Sequence, residues 1–257
     1  LNLTITPSTT SSTTETACDS YTWSVNNTTY TASGVYTDIV GCHTSTLNLT
    51  ITSCNTVLNL TCFIEAYWDG SSAMTPALLN QGQANSSTQC DTITVELHPL
   101  ANPSMIANSS TALLNTDGTA LVSFANAIAP DNYYIVIKHR NALETWSANA
   151  LSFPLTTSYD FSTSASQAYG NNQVEVASGI FALYSGDIEK DENIDLLDLG
   201  LVEIDQTEFV FGYLYDVINT NYPGVISTDL NGDGNVDLLD AVYLETNSTN
   251  FIFSQHP

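Results

Sequence analysis

Asp229, Asn231, Asp233, Asp237 and Asp240 fall at positions 1, 3, 5, 9 and 12 of a twelve-residue stretch that has Gly234 at position 6. This is the spacing by which one loop wraps a hard cation such as Ca²⁺ in oxygen ligands. Asp229, Asn231 and Asp233 supply side-chain oxygens from one side. Gly234 takes a left-handed turn that a Cβ would penalise, and the backbone carbonyl of Asn235 comes next. Asp237 reaches the ion directly or through water. Asp240 closes the far side from the first turn of a following helix. Position 12 of such loops is usually a Glu, so the shorter Asp240 requires that helix to come closer.

A second copy lies 42 residues upstream, where Asp187, Glu189, Asp191, Asn193, Asp195 and Asp198 align with Asp229, Asn231, Asp233, Asn235, Asp237 and Asp240. The match runs on through DLLDLGLVEIDQTEFVF over DLLDAVYLETNSTNFIF, pairing Glu203 with Glu245, Phe209 with Phe251 and Phe211 with Phe253. The pattern is a duplication and implies two Ca²⁺ ions. Glu192 stands where the turn prefers Gly, which places a non-glycine residue at positive φ at a cost of about 1–2 kcal/mol. Glu189 in place of an Asn gives the first loop more negative charge.

The elements that must position these loops follow from periodicity. Each loop precedes a short apolar-periodic stretch, 196–204 and 238–244, that reads as a helix of two or three turns. The segment 210–226 between the copies carries no assignment. Upstream the pattern is β. LNLTIT at 1–6 recurs at 47–52, so the chain is expected to open on the last strand of a preceding repeat and then run through a complete one. In that repeat Tyr21-Thr22-Trp23-Ser24-Val25 alternates, Asn26-Asn27 suits a hairpin turn and Tyr30 returns on the partner strand. From about 56 to 178 candidate strands at 58–68, 92–98, 119–124, 133–140, 152–160 and 174–177 are separated by loops rich in Asn, Ser, Gly and Pro. Alternating strands must bury one face against a second sheet, so an Ig-like sandwich is expected. The fold class is therefore mainly β: a repeat module at 1–54, a β-sandwich at 55–178, and a small helical calcium-binding domain at 179–257.

Composition narrows the function. The 257 residues include 27 acids against three bases, Lys138, Arg140 and Lys190, for a formal net charge of −24. Such a surface repels phosphate backbones and anionic lipid, so nucleic acid and membrane surfaces are poor partners, and neither nucleic-acid binding nor membrane insertion is expected. No run approaches the ~20 apolar residues that span a bilayer. The sequence begins without Met or a basic-then-apolar leader, as expected of a processed product or an excised piece. Five cysteines match neither a zinc ribbon nor a redox pair, so disulfides are the default in an extracellular chain. Among the possible pairings, Cys18–Cys42 within the first module and Cys62–Cys90 within the second are favoured, leaving Cys54 unpaired.

No catalytic constellation stands out. His139 between Lys138 and Arg140 makes a basic spot that could touch an anion or a sugar acid. On a strand, however, Lys138 and Arg140 would share one face and His139 the other, with Glu144 near enough to pair with the bases. His43, His98 and His256 have no acidic or Cys partner at ligand spacing. Trp23, Trp68 and Trp146 could form a sugar-stacking platform, although large aromatics in β modules are more often core. Catalytic residues are none, and enzyme activity is not expected.

These residues carry a resemblance. The paired loops with their Asp at position 12 resemble a dockerin-type domain, whose loops are a variant of the EF-hand. The repeat with TETACDSYTW and LNLTIT resembles the tandem repeats of very large secreted surface proteins of Bacteroidota. IVIKHRNALETWSANALSF, with the YDFSTSASQAYGNNQVEVASGIFALYSGD that follows, is similar to a module near the C-terminal end of such proteins. The resemblance implies type 9 secretion, a cell-surface or extracellular location, and work as a non-enzymatic adhesin or filament segment. Its partners would be neighbouring modules of the same long chain, further copies in a homo-oligomer or filament, or a surface glycan. It also implies Thr92 in Asp91-Thr92-Ile93 as an O-glycosylation acceptor. The alternative is a carbohydrate-binding module joined to a dockerin that docks into a cohesin. Dockerins read their partners with positions 10 and 11, here Leu196-Leu197 and Leu238-Leu239. Leu pairs buried against the sandwich or the 210–226 insert would favour the structural role.

Overall fold

The computed structural model describes residues 7–52, 55–125, 131–211 and 228–257. Two compact units divide near residue 56. The first contains β1 (Thr9–Cys18), β2 (Tyr21–Trp23), β3 (Thr28–Tyr30), β4 (Gly34–Val40) and β5 (His43–Thr52). β5 is central, with β4 antiparallel on one side and β1 parallel on the other. Its alternation buries Leu47 and Leu49 against Trp23, with Tyr21, Tyr30 and Tyr36 packed around them. The expected hairpin is present, pairing Tyr21 with Tyr30 through a turn in which Asn27 takes positive φ.

The parallel pairing corrects the disulfide expectation. Cys42 lies beside Thr9, whose N–H donates to the Cys42 carbonyl at 2.9 Å, whereas Cys18 pairs with Thr52 at the other end of the same two strands. Nine residues of strand, about 30 Å, separate them. Cys42 is an exposed free thiol, and Cys18 is bonded to another cysteine. Cys62 and Cys90, also expected as a pair, are buried free thiols. The Cys90 Sγ faces the Met74 Sδ at 4.0 Å, and burial, reinforced by Asp160, pushes the Cys62 thiol up to about 12. Cys54, expected to be unpaired, lies outside the described residues, as do 1–6 and most of 210–226.

The second unit contains β6 (Thr56–Thr61), α1 (Ala77–Asn80), β7 (Gln89–Pro99), β8 (Asn108–Asn115), β9 (Thr119–Phe124), β10 (Asn132–Lys138), β11 (Thr145–Trp146), β12 (Leu151–Ser152), β13 (Thr156–Asp160), β14 (Val174–Ala177), β15 (Ile180–Ala182), α2 (Leu196–Thr207) and α3 (Leu238–Thr249). Among the described residues one hydrogen-bonded path runs β11-β10-β7-β8-β9-β6-β13, with β12 also on β10. Leu58 and Leu60 of β6, Ile93 and Val95 of β7, Val122 and Phe124 of β9, and Ile135 and Ile137 of β10 share one buried cluster. Strands spaced about 4.8 Å apart in a flat sheet could not all do so, so the sheet curls over its own core as a sandwich does.

A second, smaller cluster joins Ala66 and Leu143 to Ile188, Ile194, Val202, Leu230, Val236, Ala241 and Leu244. The boundary read from sequence at 178 falls between the paired strands β14 and β15, and both apolar clusters cross it: Ala182 and Leu183 belong to the main core, and Ala66 and Leu143 to the smaller one. Glu65 ties them together, accepting from Ser185 N at 3.0 Å and Asn247 Nδ2 at 2.7 Å.

Candidate metal centre

α2 and α3 start from the two acidic loops by the same device. Asp195 and Asp237 cap the helices, accepting from Leu197 N at 2.7 Å and Leu239 N at 2.8 Å. Asp198 and Asp240 turn back to complete capping boxes with Asp195 N (2.9 Å) and Asp237 N (2.8 Å). Their other oxygens close the loops, Asp198 on Ile188 N (2.6 Å) and Asp240 on Asn231 N (3.1 Å). The short Asp at position 12 thus sits fully buried at the loop's centre, as the spacing required.

The duplication becomes a pseudo-two-fold pair. Ile194 N donates to Ile252 O at 3.0 Å and Val236 N to Val210 O at 3.1 Å, and short bridges pair Asn193 with Phe253 and Phe211 with Asn235. Every one of these partners is related by the 42-residue offset. Each loop is strapped by the chain that follows the other copy's helix, and the cross-strap buries Ile194 and Val236.

Within the loops the carboxylates repel one another. Burial, followed by the charges of Asp229 and Asp233, pushes Asp240 up to about 7 despite two backbone donors. Burial also raises Asp187, with Lys190 opposing and Asp198 and Asp191 adding to the rise. Asp198 and Asp229 rise by burial as well, and Glu189 by burial together with Asp191, Asp198 and Asp195. Among the described residues no three His, Cys, Asp or Glu side chains are gathered as a finished metal cage. Many of the loop carboxylates point at backbone N–H groups. The donor set is nevertheless all oxygen, and Asp187 Oδ1 and Glu189 Oε1 are buried with no hydrogen-bond partner. Such a set fits a hard divalent cation, which would accept those oxygens and neutralise the cluster.

The loops differ in what holds them. Asp229 accepts from Gly232 N (2.9 Å), Gly234 N (3.0 Å) and, from the sandwich, Gln81 Nε2 (2.6 Å); its carbonyl accepts from Asn141 Nδ2 (3.0 Å). Asn80 Nδ2 donates to Gly232 O at 2.8 Å. Behind Gln81 stands a buried cation: Arg140 donates to Gln81 Oε1 (3.0 Å), Asp91 Oδ2 (2.8 Å) and Tyr67 Oη (2.7 Å), and His139 meets the same Asp91 oxygen at 3.1 Å. Burial would raise Asp91, but the Arg140 charge and His139 outweigh it and hold the carboxyl well below its ordinary range. In the other loop Lys190 Nζ donates to Asp187 O and, at 2.8 Å, to Ala142 O. Lys190 and Glu192 both take positive φ, the latter as the sequence required.

The remaining candidates fall into structural places. Lys138 and Arg140 do not share a face, because β10 ends at Lys138 and both His139 and Arg140 then turn onto Asp91. Lys138 pairs with Glu144 at 3.0 Å, as proposed, and with Glu96 at 3.3 Å. His98 and His256 do have acidic partners, Glu96 at 3.1 Å and Glu192 at 3.4 Å. The Glu96–His98 pair was visible as an i, i+2 pair on one strand face. Trp23 and Trp146 are buried and Trp68 packs on the main core, so they form no common platform. The Leu pairs are not buried: Leu196, Leu197, Leu238 and Leu239 are 74, 64, 70 and 59% exposed. Among the described residues no helix is long and apolar enough to cross a membrane.

No family model matches the sequence, and no curated protein matches it. Among solved structures the chain is similar to a chain of the C-terminal interface mutant of a type II cohesin–X–dockerin complex from Acetivibrio cellulolyticus. Identity is 17%, coverage is 76% of this chain and 99% of that one, and the TM-score is 0.40. The N-terminal interface mutant of the complex from the same organism gives 16%, 78%, 99% and 0.36.

Proposed function

We propose that 187–198 and 229–240 each bind one Ca²⁺ and that the chain is a non-enzymatic segment of an extracellular adhesin or surface filament, stiffened by the two ions. The observation that supports this reading is the cross-strapped pair of loops, with the first and twelfth carboxylates of both buried and two carboxylate oxygens of the first loop lacking any donor. Asp187, Glu189, Asp191, the Asn193 carbonyl, Asp195 and Asp198 are the ligands of one site. Asp229, Asn231, Asp233, the Asn235 carbonyl, Asp237 and Asp240 are those of the other. Asp91, His139 and Arg140 are buried and engaged with one another, which favours a structural role for them.

A second reading is favoured by one observation. The Leu pairs at positions 10 and 11, with Phe209 and Phe251 each 83% exposed, present apolar side chains on both copies. In this reading the dockerin-like pair docks onto a protein partner such as a cohesin. These leucines are exposed and so are not taken up by internal packing.

Calorimetric titration of the full chain with Ca²⁺ is the test. Two ions are expected, with one lost in Asp240→Asn and the other in Asp198→Asn. Binding of no ion at millimolar Ca²⁺ would overturn the proposal.

A further inference from the structure

We infer that the site at 229–240 is a composite one, in which Gln81, Asn80 and Asn141 of the sandwich are positioning residues that hold this loop, and not its copy, in the shape a cation needs. The inference rests on the calcium reading above and concerns how unequal the two sites are.

The Gln81 amide is oriented without ambiguity. A guanidinium carries only donors, so the face of Gln81 toward Arg140 must be its oxygen, and the face toward Asp229 must be its NH₂. Arg140 is itself fixed by Asp91 and Tyr67, so the orientation is inherited from the sandwich core. Gln81 and Gly234 N both donate to Asp229 Oδ2, which uses both lone pairs of that oxygen. Among the described residues Oδ1 accepts only from Gly232 N and keeps a lone pair for a metal. Asn141 and Asn80 fix the carbonyls of Asp229 and Gly232, so three sandwich side chains set the entry turn of the loop.

The two glycines make this docking possible. A Cβ on Gly232 would stand 2.7 Å from Ala77 Cβ and 2.9 Å from Tyr67 Cε1, and one on Gly234 would stand 2.8 Å from Asn80 O. The equivalent positions of the copy are Lys190 and Glu192, so that loop could not lie against α1. Its first carbonyl, the equivalent of Asp229 O, accepts from its own Lys190 instead. Partners of metal ligands typically change affinity 10–100-fold when removed. The difference between the loops is therefore expected to show as unequal affinities, with 229–240 filling first.

The test uses the full chain and Ca²⁺ alone, with each site isolated by silencing the other. In an Asp198→Asn background, Gln81→Leu is expected to weaken Ca²⁺ binding about tenfold or more. In an Asp240→Asn background the same change should leave affinity within about twofold. Asn80→Ala removes only the bond to Gly232 O, leaves the Arg140 network whole, and should cost about fivefold at 229–240 alone. Should Gln81→Leu fail to fold, Asn80→Ala carries the decision. Equal effects in both backgrounds, or none in either, overturn the inference while leaving the calcium reading intact. A wild-type chain that binds no Ca²⁺ sinks both.

Discussion

Loops 187–198 and 229–240 present the same residue type at five of six aligned positions, yet the same structural need is met in each by a different neighbour. Both leave the carbonyl of the first Asp facing inward, where it needs a donor. In one copy Asn141 of the sandwich provides it, and in the other Lys190 of the loop itself does. The glycine pair lets one copy lie against α1, whereas Lys190 and Glu192 keep the other self-contained and leave Asp187 Oδ1 and Glu189 Oε1 without donors. A ligand set copied by duplication does not copy its support, because support comes from tertiary neighbours that were not duplicated.

Removing Ca²⁺ should produce the largest contrast. A ligand that binds only the folded form stabilises it by about 4 kcal/mol at a thousandfold excess over Kd. On chelation, hydrogen exchange should accelerate most in 229–249, the site expected to bind more tightly, less in 187–207, and not at all in β1–β5. Equal acceleration in the two loops would remove the distinction between them. Next in size is Arg140→Met, which leaves Asp91 buried without its cation. Breaking a buried pair in this way costs ~3–5 kcal/mol. Urea unfolding should show that loss in the second unit, and calorimetry should show weakened Ca²⁺ binding at 229–240 only.

How much of this was legible follows from range. The loops, their helices and the strands at 119–124 and 174–177 are local patterns, and the helices merely run on to Thr207 and Thr249. β8 was missed because Asn108-Ser109-Ser110-Thr111 is polar and inward-facing residues begin only at Ala112. The strand expected at 58–68 stops at Thr61, since Cys62–Trp68 is almost continuously apolar and coils into a buried turn at Glu65–Tyr67. Gln81 and Asn141 gave no signal at all, because their partner Asp229 lies 148 and 88 residues away. The Cys18–Cys42 expectation failed for the same reason: a parallel β1–β5 pair is not visible in spacing.

Lys190→Met sharpens the comparison from the other side, with a smaller effect. The Lys190 ammonium lies against the carbonyl of Asp187, the first ligand of this loop, so its charge opposes a divalent ion held there. Its hydrogen bonds to the Asp187 and Ala142 carbonyls are worth roughly 1 kcal/mol each. For a buried ammonium facing a divalent charge the repulsion is the larger effect, so the variant should bind Ca²⁺ several-fold more tightly at 187–198 and unchanged at 229–240. Weaker binding at 187–198 would show that the lysine supports the loop more than it competes with the cation.

The smallest effect is that of pH. His139 faces Asp91, Arg140, Lys190 and the Tyr67 ring, and burial lowers its affinity for a second proton below the ordinary 6.5 although Asp91 opposes this. Between the two values the unfolded chain binds more protons than the folded one, so stability rises with pH there. This contribution is complete above 6.5 and is lost as the pH falls toward the lowered value. Since His139 and Arg140 share Asp91, charging the ring disturbs the support of Gln81 and hence of 229–240. With Ca²⁺ saturating, wild type and His139→Gln should unfold with a stability difference that changes between pH 7.5 and 5, the variant losing less. The loop carboxylates titrate alike in both chains and cancel from that difference. Parallel pH profiles would mean that His139 takes up its proton equally in the folded and unfolded chains, and that Asp91 needs only Arg140.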